Sequence, residues 1–458
     1  MSAHGCELNW WEAPFASGAL DATVHVPASK SLTNRYLLLA ALADTPSTIH
    51  NTLISRDTEL MLRALQAFGV QISRETQDDG STTVVLRPAD AQARSAARAQ
   101  TLHVDCGLAG TVMRFVPALA AVTGARVHFD GDEAARARPM APVLDALAEL
   151  GVEFSFADQP GLMPFTLDAS SVSVRDTVSI DASASSQFIS AMLLIGHALP
   201  GGLHLRAAPG HIASPDHIVM TVATLRELGV QVATDADGRG WKIAPGRLDG
   251  FTVTVEPDLS NAGPFLAAAL ASQGTVRVPF WPAQTTQVGG KWVQILSAMG
   301  AHVSLDEDGV LTVTGTGTIR GIDYSDASEL APTLAALCVL ADSPSTLRGI
   351  GHLRGHETDR LAALETELSK VGASVRATDD GLQIDPGVLQ AADLHSYEDH
   401  RMATAGALLG LAIDGVRVEN IATTAKTMPD FPALWEQMAR TANTSSTSST
   451  SSTSSQAG

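Results

Sequence analysis

The stretch DRLAALETELSKVGA, Asp359–Ala373, decides how this chain folds. Leu361, Leu364, Leu368 and Val371 fall three or four residues apart, the repeat of one apolar helix face. Gly372 then supplies the left-handed cap that ends a helix, and an alternating strand pattern begins at Ala373. The same join of bulky apolar residue, Gly, then Val or Ala occurs at Phe68-Gly69-Val70, Leu150-Gly151-Val152, Leu228-Gly229-Val230 and Met299-Gly300-Ala301. These joins recur at intervals of roughly 70–80 residues, the mark of an internal repeat.

A second landmark runs in step with the first. Small polar turns at Ser29, Asp105, Asp181, Asp258, Asp326 and Asp399 each lead into an Ala/Leu-rich helix. Those helices (Tyr36–Ala43, Phe115–Val122, Phe188–Ala198, Phe265–Ala271, Leu334–Ala341, Ala403–Ile413) are apolar on nearly every face, as buried helices are. The second helices, such as Thr58–Phe68 and Asp359–Val371, are amphipathic and belong on the outside. Two landmarks with one period predict six units of helix, strand, helix, strand and strand, an α/β architecture in two lobes. The sixth unit stops near Trp435, so N-terminal strands around Leu8–Trp11 and Leu20–Val26 are expected to complete it. The lobes are then residues 27–255, and 1–26 with 256–440.

Composition narrows the function. The chain has 458 residues, too many for one core, with a net charge of −19, 45% hydrophobic and 17% charged residues. That charge disfavours nucleic acid, whose phosphates are gripped by basic stripes. Apolar runs are far short of the ~20 residues of a membrane span, and a basic, apolar leader is lacking. Cys6, Cys106 and Cys338 are three and far apart, which suits a reducing compartment, so a cytoplasmic protein is expected. The Ser/Thr-rich segment from Thr441 onward (441–458 in the domain division) has nothing to bury and is expected to be disordered.

Only five lysines occur, and two of them, Lys30 and Lys426, cluster with arginines at these turns. The turns read Ser29-Lys30-Ser31-Leu32-Thr33-Asn34-Arg35, Ala109-Gly110-Thr111-Val112-Met113-Arg114 with Arg136 and Arg138, and Ser185-Ser186-Gln187 with Ser214. In the second half they read Glu329, then His356-Glu357-Thr358-Asp359-Arg360, Asp399-His400-Arg401 and Thr424-Ala425-Lys426-Thr427. Helix N-termini bind anions through free N–H groups and a partial positive charge, and arginine forks match carboxylate or phosphate. Two lobes facing each other would place six such ends around a cleft. The alternative is that each Ser or Thr merely caps a helix and each Arg is a solvated surface charge. Glu329 and Glu357, set among cations, suit proton transfer, with structural pairing to Arg360 or Arg354 as the alternative. Gly349–Gly355 is one residue too long for a dinucleotide fingerprint, and Gly289-Gly290-Lys291 lacks the rest of a P-loop. His352, His356 and Glu357 do not have metal-site order, and Cys106 reads as a buried thiol, so neither a metal nor a cofactor is expected.

Together these strings, with Arg138-Pro139 and Ala425-Lys426-Thr427, resemble the 5-enolpyruvylshikimate-3-phosphate synthases over about residues 20–436. The resemblance implies two lobes of three βαβαββ repeats, and transfer of the enolpyruvyl group of phosphoenolpyruvate to the 5-hydroxyl of shikimate 3-phosphate. It implies shikimate 3-phosphate contacts from Lys30, Ser31, Arg35, Ser185, Ser186, Gln187, Ser214, Glu329 and His356. It implies phosphoenolpyruvate contacts from Lys30, Gly110, Thr111, Arg138, Gln187, Arg360, His400, Arg401 and Lys426. Glu357 corresponds to the proton-transfer acid, and Glu329 or Lys30 takes the hydroxyl proton. The N-lobe would mainly hold shikimate 3-phosphate and the C-lobe complete the other site, in a monomer. Ala28, Phe115 and His356 depart from the commoner Gly, Pro and Lys, and Glu329 from the commoner Asp. Gly110 looks like the form that accommodates glyphosate. The related transferases acting on UDP-N-acetylglucosamine carry a loop cysteine, and Asp130–Arg138 has none. A metabolite sensor on the same scaffold would not need Glu329 and Glu357, and an RNA cyclase would need a more basic surface.

Overall fold

The computed structural model describes residues 9–447, apart from Asp79, Val174, Asp176 and His356. The chain divides into two compact units. One is continuous, Ala28–Glu256; the other takes the N-terminal segment through Pro27 and everything from Pro257 onward.

The second repeat displays the common plan. Strand Thr101–Asp105 leads into core helix Gly110–Thr123, a parallel strand Arg126–Asp130, helix Ala141–Glu149, and a hairpin of Glu153–Phe156 with Phe165–Asp168. Phe165–Asp168 pairs antiparallel with Arg126–Asp130, giving the sheet order first, second, fourth, third strand. Parallel neighbours need a crossover, and the core helix provides it. Four further sheets keep this order, and a sixth has three strands. The landmark glycines all have positive φ; at Gly372 (φ +100°) a Cβ would also meet the Val388 carbonyl at 2.0 Å. Only Gly fits that cap.

The six core helices are Lys30–Leu42, Gly110–Thr123, Gln187–Ile195, Leu259–Ala271, Ala331–Val339 and His400–Ala412. The first three pack on one another, as do the last three, so each unit is built around a bundle of apolar helices walled by sheets. Every residue of Phe188–Ile195 is buried, which explains why that helix shows no polar face. Burying one such Phe or Leu side chain stabilises by ~1.5–3 kcal/mol.

Two expectations are corrected. The N-terminal strands do not both complete the sixth repeat. Trp10–Glu12 does so, antiparallel to Arg417–Glu419, but Asp21–Thr23 lies parallel to Thr275–Val278 in the fourth. Correspondingly, Thr252–Thr254 lies parallel to Ser47–His50 in the first. Each core helix requires a parallel strand before it. For the first repeat that strand comes from the end of the continuous unit, and for the fourth from the N-terminal segment. The second correction concerns the C-terminus. The last helix, Phe431–Thr447, runs past Thr441 because Phe431, Trp435, Met438, Ala439 and Ala442 form one buried stripe at helical spacing. Residues 448–458 lie outside the described residues, as does Cys6. Among the described residues no helix is long and apolar enough to cross a membrane.

Candidate active site

In the continuous unit the N-termini of the three core helices converge. Asn34 Nδ2 donates to Thr111 Oγ1 at 2.7 Å, joining the first helix to the second. A Cβ placed on Gly110 would stand 3.1 Å from Gln187 Oε1 and 3.4 Å from Arg138 Nη2, so second and third helices meet there with no spare room. Ser29 caps the first helix, its Oγ accepting from Leu32 N at 3.5 Å, and Lys30 follows at the exposed end. Lys30 Nζ pairs with Asp57 Oδ2 at 2.9 Å; that carboxylate is 2% exposed and sits in the first turn of the helix Arg56–Ala67.

Arg35 lies deep behind the Ser31 turn. It is 1% exposed, and its guanidinium donates to Thr221 Oγ1 (2.8 Å), Ser190 Oγ (3.4 Å) and the carbonyls of Ser31 (2.8 Å) and His217 (3.1 Å). It therefore braces the Ser31 turn against the segment carrying Ser214. Ser214 has φ +45°, a conformation unfavourable for a residue with a Cβ. Ser185 Oγ accepts from Gln187 N at 3.2 Å, and Ser186 is buried at the head of the third helix. Arg138 is half-buried, with Nη1 3.4 Å from the Leu108 carbonyl and a buried Nε that has no hydrogen-bond partner among the described residues. An unsatisfied buried donor calls for an explanation, and an anionic ligand supplies one.

In the other unit a second set converges. Glu357 accepts from Lys426 Nζ at 2.5 Å and from Arg360 Nη2 at 2.9 Å. Arg360 is also pinned to Asp399, Nε to Oδ2 at 2.7 Å. Asp399 in turn caps the sixth core helix, accepting from Arg401 N at 2.8 Å. Arg401 Nη2 stands 3.7 Å from Glu329 Oε1, which accepts from Ser260 Oγ at 3.0 Å. His400 is buried beside Asp399, its Nδ1 3.8 Å from Oδ1. Burial alone would weaken the charge on Arg360, but Asp399 and Glu357 outweigh it and raise the guanidinium further above its ordinary range. The pairing of Glu357 with Arg360 weighed from sequence is thus real, whereas Arg354 pairs with Asp359 at 2.9 Å. A carboxylate held by two cations can still exchange protons once a ligand anion competes for them.

His356 lies outside the described residues. Burial pushes the Cys106 thiol up, and that of Cys338 up to about 12, so neither is a ready nucleophile. No group of three or more metal-ligating side chains is present among the described residues. Sequence reasoning missed Asp57, Ser260 and the Asn34–Thr111 contact. Asp57 lies within a Ser-x-x-Thr capping pattern, which announces a helix start but not a lysine partner 27 residues away.

This fold matches enolpyruvyl-transfer enzymes of known structure. EPSP synthase from Acinetobacter baumannii superposes with a TM-score of 0.75 at 23% identity, covering 94% of this chain and 98% of that chain. The enolpyruvyl transferase NikO from Streptomyces tendae gives 0.69 at 20%, covering 93% and 96%. At those identities the likeness establishes architecture alone. Sequence goes further. The model of the EPSP synthase family (3-phosphoshikimate 1-carboxyvinyltransferase) matches residues 15–435, and the chain belongs to that family. Two relatives bear the name 3-phosphoshikimate 1-carboxyvinyltransferase. The one from Kocuria rhizophila is 54% identical over 432 residues, 93% of this chain and 96% of its own; that from Bifidobacterium longum is 49% identical over 444, 94% and 98%. The chain is a transferase of enolpyruvyl groups in the shikimate pathway.

Proposed function

We propose that the two residue sets serve one reaction, in which the 5-hydroxyl oxygen of shikimate 3-phosphate attacks C2 of phosphoenolpyruvate. A proton adds to C3 as the C–O bond forms; loss of a C3 proton and of phosphate then leaves the enolpyruvyl ether. The observation that carries this reading is Glu357 held between Lys426 and Arg360. An arriving phosphate or carboxylate competes for both cations and releases a carboxylate able to exchange the C3 proton.

Lys30, Ser31, Arg35, Ser185, Ser186, Gln187, Ser214 and Glu329 receive shikimate 3-phosphate, with His356 counted among them from sequence. Gly110, Thr111, Arg138, Arg360, His400, Arg401 and Lys426 receive phosphoenolpyruvate, with Lys30 and Gln187 shared. Orphaned Arg138 Nε and the crowded wall around Gly110 support the second set. Both substrates are multiply anionic, so closely placed guanidinium and ammonium groups supply electrostatic stabilisation as well as binding. The hydroxyl proton goes to Glu329 or Lys30. The enzyme works as a cytoplasmic monomer.

The test is phosphate release from the full chain supplied with both substrates. Release that depends on each substrate supports the reading; release from phosphoenolpyruvate alone, or none, overturns it. Sedimentation of the purified protein checks the monomer.

A further inference from the structure

The helix Arg360–Lys370 grips the approach to the sixth core helix in two places. At its first residue Arg360 holds Asp399. Two turns later Glu367, only 2% exposed, accepts from the His395 backbone N–H at 2.9 Å and from the Tyr397 hydroxyl at 2.7 Å. Lys370 Nζ reaches the same carboxylate at 2.6 Å and the Asp393 carbonyl at 3.3 Å. Between the grips lie Tyr397 and Glu398, each with φ +54°. Two successive residues with a Cβ in the left-handed region persist only where their surroundings hold them. A further tie comes from the segment leading to Lys426, where Thr423 Oγ1 donates to the Glu398 carbonyl at 2.8 Å.

We propose that Glu367 and Tyr397 are positioning residues for phosphoenolpyruvate, holding this left-handed pair so that Asp399-His400-Arg401 enters the helix in its observed direction. The inference rests on the reading that Arg401 binds phosphoenolpyruvate. Neither residue belongs to the two sets above. Tyr397 is 38% exposed, so deleting its hydroxyl opens no core cavity. What it removes is one restraint on the turn. Released from Glu367, the pair relaxes toward negative φ, and Asp399 and Arg401 shift together.

Tyr397→Phe and Glu367→Gln test this in the full-length enzyme, with phosphate release measured while each substrate is varied separately. Tyr397→Phe is expected to raise KM for phosphoenolpyruvate roughly three- to tenfold, the scale of one ordinary hydrogen bond, because the lost contact acts on the ligand only through the turn. KM for shikimate 3-phosphate should stay within about twofold, and Glu367→Gln should act in the same direction and further. A purely structural role would instead lower the melting temperature and leave both KM values at wild type, which overturns the proposal. Should Glu367→Gln fail to fold, Tyr397→Phe decides alone. Amide hydrogen exchange across residues 395–404 reads the turn without substrate: faster exchange in Tyr397→Phe supports the proposal, and unchanged exchange overturns it. Wild-type enzyme that releases no phosphate counts against the functional reading only, since the exchange measurement still judges the turn.

Discussion

Arg360 and Asp399 meet side-on in the interior, Nε to Oδ2 at 2.7 Å and Nη2 to Oδ1 at 3.2 Å, with 2% and 0% of their side chains exposed. The same guanidinium reaches Glu357 through Nη2, so one buried cation links a helix cap to the proposed proton carrier. Asp399→Asn keeps the cap's shape and removes its charge, leaving Arg360 without its closer counter-ion. Breaking a buried pair costs about 3–5 kcal/mol, and denaturant unfolding of Asp399→Asn should show a loss of that order. A change near zero would mean that Glu357 alone satisfies Arg360.

Glu357→Gln preserves hydrogen-bonding size but cannot carry a proton as a carboxylate does. kcat should fall roughly 10²- to 10⁴-fold, the usual reach of general acid–base catalysis, while both substrates still bind. Near-normal turnover would remove Glu357 from the chemistry. Isothermal titration alongside steady-state rates separates the two effects.

Lys30→Ala removes a charged donor from the head of the first core helix and strands Asp57, 2% exposed. A hydrogen bond to a charged group is worth about 1.5–3 kcal/mol, which corresponds to a roughly ten- to hundredfold weaker dissociation constant for shikimate 3-phosphate. The melting temperature should drop as well, because the buried carboxylate loses its partner. Unaltered affinity by calorimetry would refute the assignment.

Gly110→Ala puts a methyl group 3.1 Å from Gln187 Oε1 and 3.4 Å from Arg138 Nη2. The backbone φ is not the obstacle; the neighbouring polar ends are. KM for phosphoenolpyruvate should rise several-fold, and inhibition by glyphosate should weaken more than substrate binding does. Equal glyphosate inhibition of variant and parent would show that Gln187 and Arg138 swing aside.

Burial lowers the pKa of His197 below 6.5, only partly offset by its Nδ1 contact with the Gly246 carbonyl at 3.3 Å. The unfolded chain takes up this proton near its ordinary pKa, while the folded protein resists until lower pH. Stability at this site is therefore intact above about pH 6.5 and declines as pH falls from there toward the folded-state value. His197→Asn should flatten that decline when unfolding midpoints are compared at pH 7.5 and 5.5. An identical pH slope in both proteins would place the acid sensitivity elsewhere.

The period of the fold was legible because it is written locally. Gly69 and Gly372 cap helices that their own neighbours specify, and the all-apolar run Phe188–Ile195 announces its burial. The partner of Asp21–Thr23 was not legible. A three-residue strand carries too little pattern to choose between two sheets, and the choice is made by hydrogen bonds to residues more than two hundred positions away. Cationic members of the site stood out because lysine is scarce in this acidic chain and arginines cluster at the same turns. Asp57 and Ser260 did not, since a capping-type Asp or Ser occurs at many turns and only the folded chain reveals which lysine or glutamate it meets. Thr441 looked like the start of a polar tail because composition outweighed the single buried Ala442 that continues the stripe.

The strand exchange also bears on synthesis. Ala28–Glu256 contains all three of its sheets, so that part can form while the ribosome is still making the remainder. Asp21–Thr23, translated earlier, has no edge to join until Thr275–Val278 emerges, and Trp10–Glu12 waits for Arg417–Glu419. These two strands thus find their partners only after the continuous unit can close, and a nascent chain stalled between the units carries one finished body and two strands still unclaimed.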